Sequence, residues 1–226
     1  MKALSGWIDH VAGWRFFKPL VFVACLTPGA WLAVRSYQAF ALGHELALGV
    51  DPVKTYEHET GLTALTILLI TLSITPVRRL LQVNRLQRVR RMLGVWSFTY
   101  AFIHLCMYLV FDQSCYSLGT CEFHAIWEDL VKRRFIFVGM FAFTMLLALA
   151  ITSTSGWVRR LKKNWQRLHR LAYVAAVAGI VHYIWIQKSD FREPFRFGFW
   201  LLVLFAIRIG LSIQKRRAHV AKPVTA

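Results

Sequence analysis

Six long apolar runs, separated by short charged blocks, constrain this chain more than any other feature of its sequence. They cover about residues 19–39, 60–75, 92–111, 135–152, 170–187 and 195–213. Each is close to the ~20 residues that an α-helix needs to cross the hydrocarbon core of a bilayer. Of the 226 residues, 57% are hydrophobic and 17% are charged, which leaves no segment for a soluble catalytic domain. The sequence therefore predicts an all-α fold, a polytopic membrane bundle of six transmembrane helices.

The charged residues between the runs predict the orientation of the bundle. The loops 76–91 and 153–169 and the tail from 214 carry Arg and Lys but no acid, whereas the other loops hold every acid except Asp9. The positive-inside rule then places both termini in the cytoplasm. A net charge of +17 would suggest nucleic acid in a soluble protein. Here it favours membrane lipids as partners and no nucleic acid.

We expect three parts along the chain. Residues 1–18 mix aromatic and polar side chains and predict an interfacial segment. Residues 19–213 form the transmembrane domain, and residues 214–226 form a basic cytoplasmic tail. The second helix should end at Thr75–Pro76, because proline cannot continue a helix. No internal repeat is visible in the sequence.

Three histidines fall within the apolar runs, where burying a polar ring in the membrane is energetically costly. His104 and His182 are inside the third and fifth runs, and His169 opens the fifth. These two helices run in the same direction. His104 follows Arg90 by 14 residues and His182 follows His169 by 13, about 20 Å of helical rise in each case. His104 and His182 should therefore share one depth, in the periplasmic half, and His169 and Arg90 another, at the cytoplasmic edge.

Two neutral imidazoles at one depth are what a six-coordinate haem b requires. The candidate metal ligands are His104, His182 and His169. Packing histidines, hydrogen-bonded across helices, are the alternative. Arg90 and Arg91 are candidate cofactor-binding residues that would clamp haem carboxylates, or else interface residues that meet lipid headgroups. Zinc is the rival metal, but no closed His, Cys and carboxylate set is visible at that depth.

Three separated motifs resemble one family. They are Arg90-Arg91-Met-Leu-Gly94 with Tyr100-Ala-Phe-Ile-His104, Trp165-Gln-Arg-Leu-His169 with His182-Tyr-Ile-Trp185, and His58-Glu-Thr-Gly61 with Leu72-Ser-Ile-Thr-Pro76. The chain resembles the MsrQ (YedZ) family of haem-binding membrane subunits of periplasmic methionine sulfoxide reductase systems. That family lies in the ferric-reductase-like transmembrane superfamily. Other members use four histidines for two stacked haems, and Arg90 occupies the fourth position here.

The resemblance implies a function for the whole chain. It implies haem b held by His104, His169 and His182, FMN as a second cofactor, and a multi-pass location in the bacterial inner membrane. Electrons would pass from the quinol pool to a periplasmic molybdopterin-containing methionine sulfoxide reductase that repairs oxidised envelope proteins. Two alternatives stay open: a b-type cytochrome subunit of another oxidoreductase or ferric reductase, and a transporter or assembly factor without redox activity.

The sequence also predicts where electrons do not come from. No G-x-G-x-x-G motif follows a strand, so no site for a dinucleotide pyrophosphate is visible. We therefore expect that the chain cannot oxidise NADH or NADPH alone. Electrons must come from a quinol or from a separate soluble flavin reductase.

Cys115 and Cys121 lie in a loop that should face the periplasm. Because that compartment is oxidising, we predict a disulfide between them. Cys25 and Cys106 fall within apolar runs and are expected to be packing residues. Alkylation without reductant followed by intact-mass measurement should leave Cys115 and Cys121 unlabelled.

Overall fold

The computed structural model describes residues 2–112 and 123–220, which form α-helices, short turns and no strand. Ten α-helices fall in these residues: α1 Lys2–Gly13, α2 Phe17–Phe40, α3 Pro52–Leu81, α4 Gln87–Met107, α5 Phe123–Lys132, α6 Arg134–Ile151, α7 Ser155–Leu161, α8 Lys163–Leu168, α9 Leu171–Ile186 and α10 Arg192–Val220. A π-helical turn, Tyr108–Asp112, continues α4. The predicted Cys115–Cys121 disulfide lies outside the described residues.

Six helical segments of the described chain are long and apolar enough to cross a membrane. They are Phe17–Phe40, Leu46–Leu81, Asn84–Phe111, Arg134–Ile151, Lys163–Ile186 and Arg192–Gln214. This confirms the predicted all-α bundle of six candidate spans. The cytoplasmic position of both termini, the interfacial segment 1–18 and the separate tail 214–226 stay predictions.

The prediction that the second span ends at Thr75–Pro76 is wrong, because α3 continues through Pro76 to Leu81. Proline has no N–H group, so the Leu72 carbonyl four residues earlier loses its helical donor. Arg208 of α10 supplies a replacement, since its Nη2 donates to the Leu72 carbonyl oxygen at 2.7 Å. A neighbouring helix thus satisfies the backbone group that proline leaves, which allows the helix to continue in a membrane.

The central helix of the bundle is α3. More than half of its span, 56%, is buried, against at most 22% for each of the other candidate spans. It packs mainly on α4, and α6 packs mainly on α9. The two pairs are joined because α9 also contacts α3, and α10 contacts both α3 and α9. One apolar cluster lies where α3, α6, α9 and α10 meet: Leu65, Leu68, Leu69, Leu72, Leu146, Leu149, Ala175, Ala176, Ile180, Leu201 and Leu204.

A tyrosine ties α2 to the α3–α4 pair. Pro28 lies inside α2, and the Tyr100 hydroxyl of α4 inserts beside it. That hydroxyl donates to the Cys25 carbonyl at 2.7 Å and accepts from the Gly29 N–H at 3.0 Å. The side chain therefore bridges two backbone groups of one helical turn and fixes the outermost helix to the core.

Candidate functional site

The structure brings the imidazole rings of His104 of α4 and His182 of α9 close to each other. Their ring centroids are 6.2 Å apart and the ring planes are nearly perpendicular, at 84°. Both rings line one cavity of about 390 Å³ between α3, α4, α6 and α9. The cavity walls are mostly apolar and include Leu65, Leu68 and Phe143. This combination of an apolar cavity with a few converging polar groups is typical of a cofactor site.

Each of the two rings is held by a backbone carbonyl from a neighbouring helix. His104 Nδ1 lies 2.8 Å from the Glu57 carbonyl oxygen, and His182 Nδ1 lies 2.7 Å from the Phe135 carbonyl oxygen. A carbonyl can only accept, so Nδ1 of each neutral ring must carry the proton. Nε2 of each ring then keeps its lone pair. This is the arrangement that orients metal-binding histidines in proteins.

Two glycines make room for the histidine rings. A Cβ atom added to Gly139 would lie 2.7 Å from two ring atoms of His182, which is a clash. A Cβ atom added to Gly61 would lie 3.2 Å from the His104 ring. Each ring therefore packs against bare helical backbone, an approach that glycine makes possible at Gly139 and makes easier at Gly61.

The two halves of the site follow one plan. In both, the histidine follows its carbonyl partner by 47 residues, and the glycine stands one helical turn after that partner, at Gly61 and Gly139. The pair α3–α4 builds one half and the pair α6–α9 builds the other. This internal repeat is hard to see in the sequence because any residue can supply a backbone carbonyl partner. The paired Gly-to-His spacing is the one signal that could have revealed it.

Two basic residues at the mouth of the cavity were also missed. Lys54 at the start of α3 and Arg133 before α6 both line the cavity. Arg133 Nε contacts Asp129 Oδ1 at 3.1 Å, and the Tyr108 hydroxyl donates to Asp129 Oδ2 at 3.0 Å. The carboxylate of Asp129 thus positions the guanidinium at the cavity entrance.

A second set of polar side chains also lies at the cavity mouth. The Tyr183 hydroxyl donates to Glu193 Oε2 at 2.7 Å. His58 Nε2 lies 3.8 Å from the same carboxylate oxygen. Tyr183 and His58 both line the cavity, so polar side chains surround the entrance while the interior is apolar.

The remaining predicted site residues lie elsewhere. Arg90, Arg91 and His169 do not line the cavity. Arg90 precedes His104 by 14 residues, which is about 20 Å of helical rise. Arg90 and the residues near it therefore lie at the opposite end of the bundle. There His169 Nδ1 contacts the carbonyl of Trp165, 3.2 Å away and one turn back, and its ring stacks on the Trp165 ring at 3.8 Å. Arg90 is close enough to His169 for their charges to interact, and Arg91 is exposed.

The histidine pair fits a metal ion that brings its own equatorial ligands. Metal bonds to imidazole nitrogen are about 2 Å long, which places the centroids of two opposed rings roughly 6 Å apart. The observed 6.2 Å agrees with that spacing. A haem supplies four nitrogen ligands itself and needs two from the protein. The carbonyl-held rings, the glycine faces and the apolar cavity all fit such a group.

Comparison with known proteins gives consistent matches. Residues 60–180 match the family described as "Ferric reductase like transmembrane component". A protein of Xanthomonas euvesicatoria, named "Protein-methionine-sulfoxide reductase heme-binding subunit MsrQ", is 44% identical over 200 residues, which is 88% of each chain. A protein of the same name from Herminiimonas arsenicoxydans is 44% identical over 207 residues, 90% of this chain and 89% of the relative. With the six apolar helices, these matches make the chain a multi-pass inner-membrane protein.

Proposed function

The chain belongs to the MsrQ family of haem-binding subunits, and from this premise we propose that it is the haem b electron-transfer subunit of a methionine sulfoxide reductase system. The observation that carries the proposal is the opposed pair of carbonyl-held imidazoles, 6.2 Å apart in an apolar cavity. In this proposal His104 and His182 would hold the haem iron through their Nε2 atoms. When bound, haem b supplies a centre that takes up and releases one electron at a time.

The protein contributes rigidity and a dry environment to this chemistry. The Glu57 and Phe135 carbonyls accept from the Nδ1–H groups of the two rings and would hold the rings in one orientation. The apolar walls, including Leu65 and Phe143, would offer water few hydrogen-bond partners beside a bound haem. A rigid, dry site keeps reorganisation small and favours electron transfer over reaction with solvent.

The cavity mouth would hold the two haem carboxylates. Lys54 and Arg133 are the cationic residues among those that line the cavity in the described part of the chain. Guanidinium and ammonium groups pair well with carboxylates. We assign this role to these two residues in place of Arg90 and Arg91, which lie at the other end of the bundle.

The donor and the acceptor follow from the family resemblance. The chain would pass electrons from the quinol pool, with FMN as a second cofactor, to a periplasmic molybdopterin-containing reductase subunit. His169 would serve a second cofactor position at the opposite end of the bundle. A soluble flavin reductase is the alternative donor.

The visible absorption spectrum of the detergent-purified chain tests the ligand assignment. The wild-type protein should show the Soret and α bands of a low-spin haem b. His104→Ala and His182→Ala should each abolish or strongly perturb those bands. Unchanged bands in both variants, or a colourless wild-type protein purified from haem-replete cells, would contradict the proposal and favour a role without redox chemistry.

Anaerobic reduction in proteoliposomes tests the donor. A reduced quinone should shift the Soret band to longer wavelength and sharpen the α band, whereas NADH alone should not. Rapid reduction by NADH alone would refute the quinol assignment. Reduction only after a flavin reductase is added would move the electron source to a soluble partner.

A further inference from the structure

An arginine of α10 reaches into the bundle at the end opposite the histidine pair. Arg208 donates from Nη2 to the Leu72 carbonyl at 2.7 Å, and its guanidinium carbon lies 4.7 Å from the centre of the Tyr173 ring. Its Nε is buried and has no hydrogen-bond partner in the described chain. A buried guanidinium N–H without an acceptor is costly. This side chain therefore has donor capacity beyond the structural role that it plays at Pro76.

Other basic groups surround Arg208. Arg90 of α4 and Arg79 of α3 are close enough for their charges to repel it. Nearby on α3, Arg78 Nε and Thr75 Oγ1 are also buried without a partner within residues 2–112 and 123–220. Three helices thus bring arginines to one end of the bundle. We call this set, Arg78, Arg79, Arg90 and Arg208, the arginine cluster.

No carboxylate of the described chain compensates the arginine cluster. The ion pairs in that part of the protein include none of its four members. Asp9, the one acid that the sequence places towards this end, contacts Arg85 at 3.6 Å. Charge that is partly buried within a membrane bundle is expensive, and the described part of the chain supplies no carboxylate to balance it.

We propose that the arginine cluster binds a phosphate-ester anion. The planar guanidinium group of arginine can donate two hydrogen bonds to one phosphate, and several arginines on different helices can contact the same phosphate. Basic pockets between transmembrane helices on the cytoplasmic side bind phospholipid headgroups. The phosphate group comes either from an anionic phospholipid or from a water-soluble phosphate monoester, and the chemistry of recognition is the same for both.

Binding measurements on the full chain, purified in detergent and stripped of lipid, test this site. Three probes are titrated: phosphatidylglycerol, diacylglycerol with the same acyl chains, and inorganic phosphate. Native mass spectrometry counts bound lipid, and calorimetry measures phosphate affinity. The variants are Arg208→Gln, which removes the charge and also the donor to the Leu72 carbonyl, and Arg90→Gln, which removes a charge and leaves Arg208 intact. Arg88→Gln, an exposed neighbour on α4, is the control with the same loss of charge.

We expect one phosphatidylglycerol per chain or saturable binding of phosphate, and no retention of diacylglycerol. Affinity should fall roughly tenfold or more in Arg208→Gln and in Arg90→Gln, because each removes a charge-assisted contact, and should stay within twofold in Arg88→Gln. Lipid that inorganic phosphate does not displace identifies the phospholipid source, and phosphate bound by lipid-free protein identifies the soluble source. Equal losses in all three variants, or no binding of either phosphate probe, would overturn the proposal.

Discussion

The helix pairs α3–α4 and α6–α9 are alike at one end of the bundle and different at the other. At the cavity, each pair contributes one histidine, one carbonyl partner and one glycine with the same spacing. At the opposite end, His169 lies just before α9 of the second pair, whereas Arg90 and Arg91 lie at the start of α4 in the first pair. The shared plan is therefore complete only at the cavity.

This difference shows that depth in the membrane does not by itself make a histidine a ligand. His104 and His182 each hydrogen-bond through Nδ1 to a backbone carbonyl of another helix, and each lies close to the other imidazole. His169 contacts the carbonyl of the preceding turn and stacks on Trp165. The surroundings at the cavity fix the tautomer and direct Nε2 inward. At His169, by contrast, the carbonyl partner comes from the preceding turn of the chain and not from another helix.

The largest expected effect at the cavity comes from the glycines that contact the histidine rings. Gly139→Ala should displace His182, since its Cβ would lie 2.7 Å from ring atoms, and overpacking of this kind costs about 1–3 kcal/mol. We expect haem content per chain, measured by the pyridine haemochrome assay, to fall several-fold. Gly61→Ala is the matched variant, and its wider 3.2 Å contact should lower haem content less. A larger loss in Gly61→Ala than in Gly139→Ala would show that the distance from glycine to ring does not control haem retention.

A smaller effect is expected at the cavity mouth. Arg133→Gln should weaken haem retention and lower its midpoint potential, because loss of a nearby positive charge favours the ferric state, by on the order of tens of millivolts. Lys132→Gln removes the same charge from the preceding residue, which does not line the cavity. Redox titration should therefore show a shift in Arg133→Gln alone. Identical midpoint potentials in both variants would show that Arg133 does not act on the haem.

The smallest effect on the cavity is expected from His169. His169→Ala removes the stack on Trp165, worth about 0.5–1.5 kcal/mol, at the opposite end of the bundle. The Soret and α bands due to His104 and His182 should stay unchanged, and any spectral loss should belong to a second cofactor. Loss of the main low-spin signal in this variant would show that the two ends are not distinct.

Much of the architecture could be read from sequence because it depends on local composition. Apolar runs near the length of a membrane crossing gave the six candidate helices. The matched spacings of His104 and His182 predicted their common depth. The end of the second helix was mispredicted, because the local rule for Pro76 does not include the donor that Arg208 supplies from α10.

The tertiary structure alone decided what surrounds each polar side chain. Hydropathy and helical rise fix where a residue lies along the membrane normal, so sequence determined the depth of the histidines and the positions of the arginine-rich loops. They do not fix which helix faces which. The carbonyls on His104 and His182, the glycine faces, Arg133 at the mouth and the arginine cluster arise from contacts between helices distant in sequence. Such contacts depend on packing of the whole bundle, which no local pattern encodes.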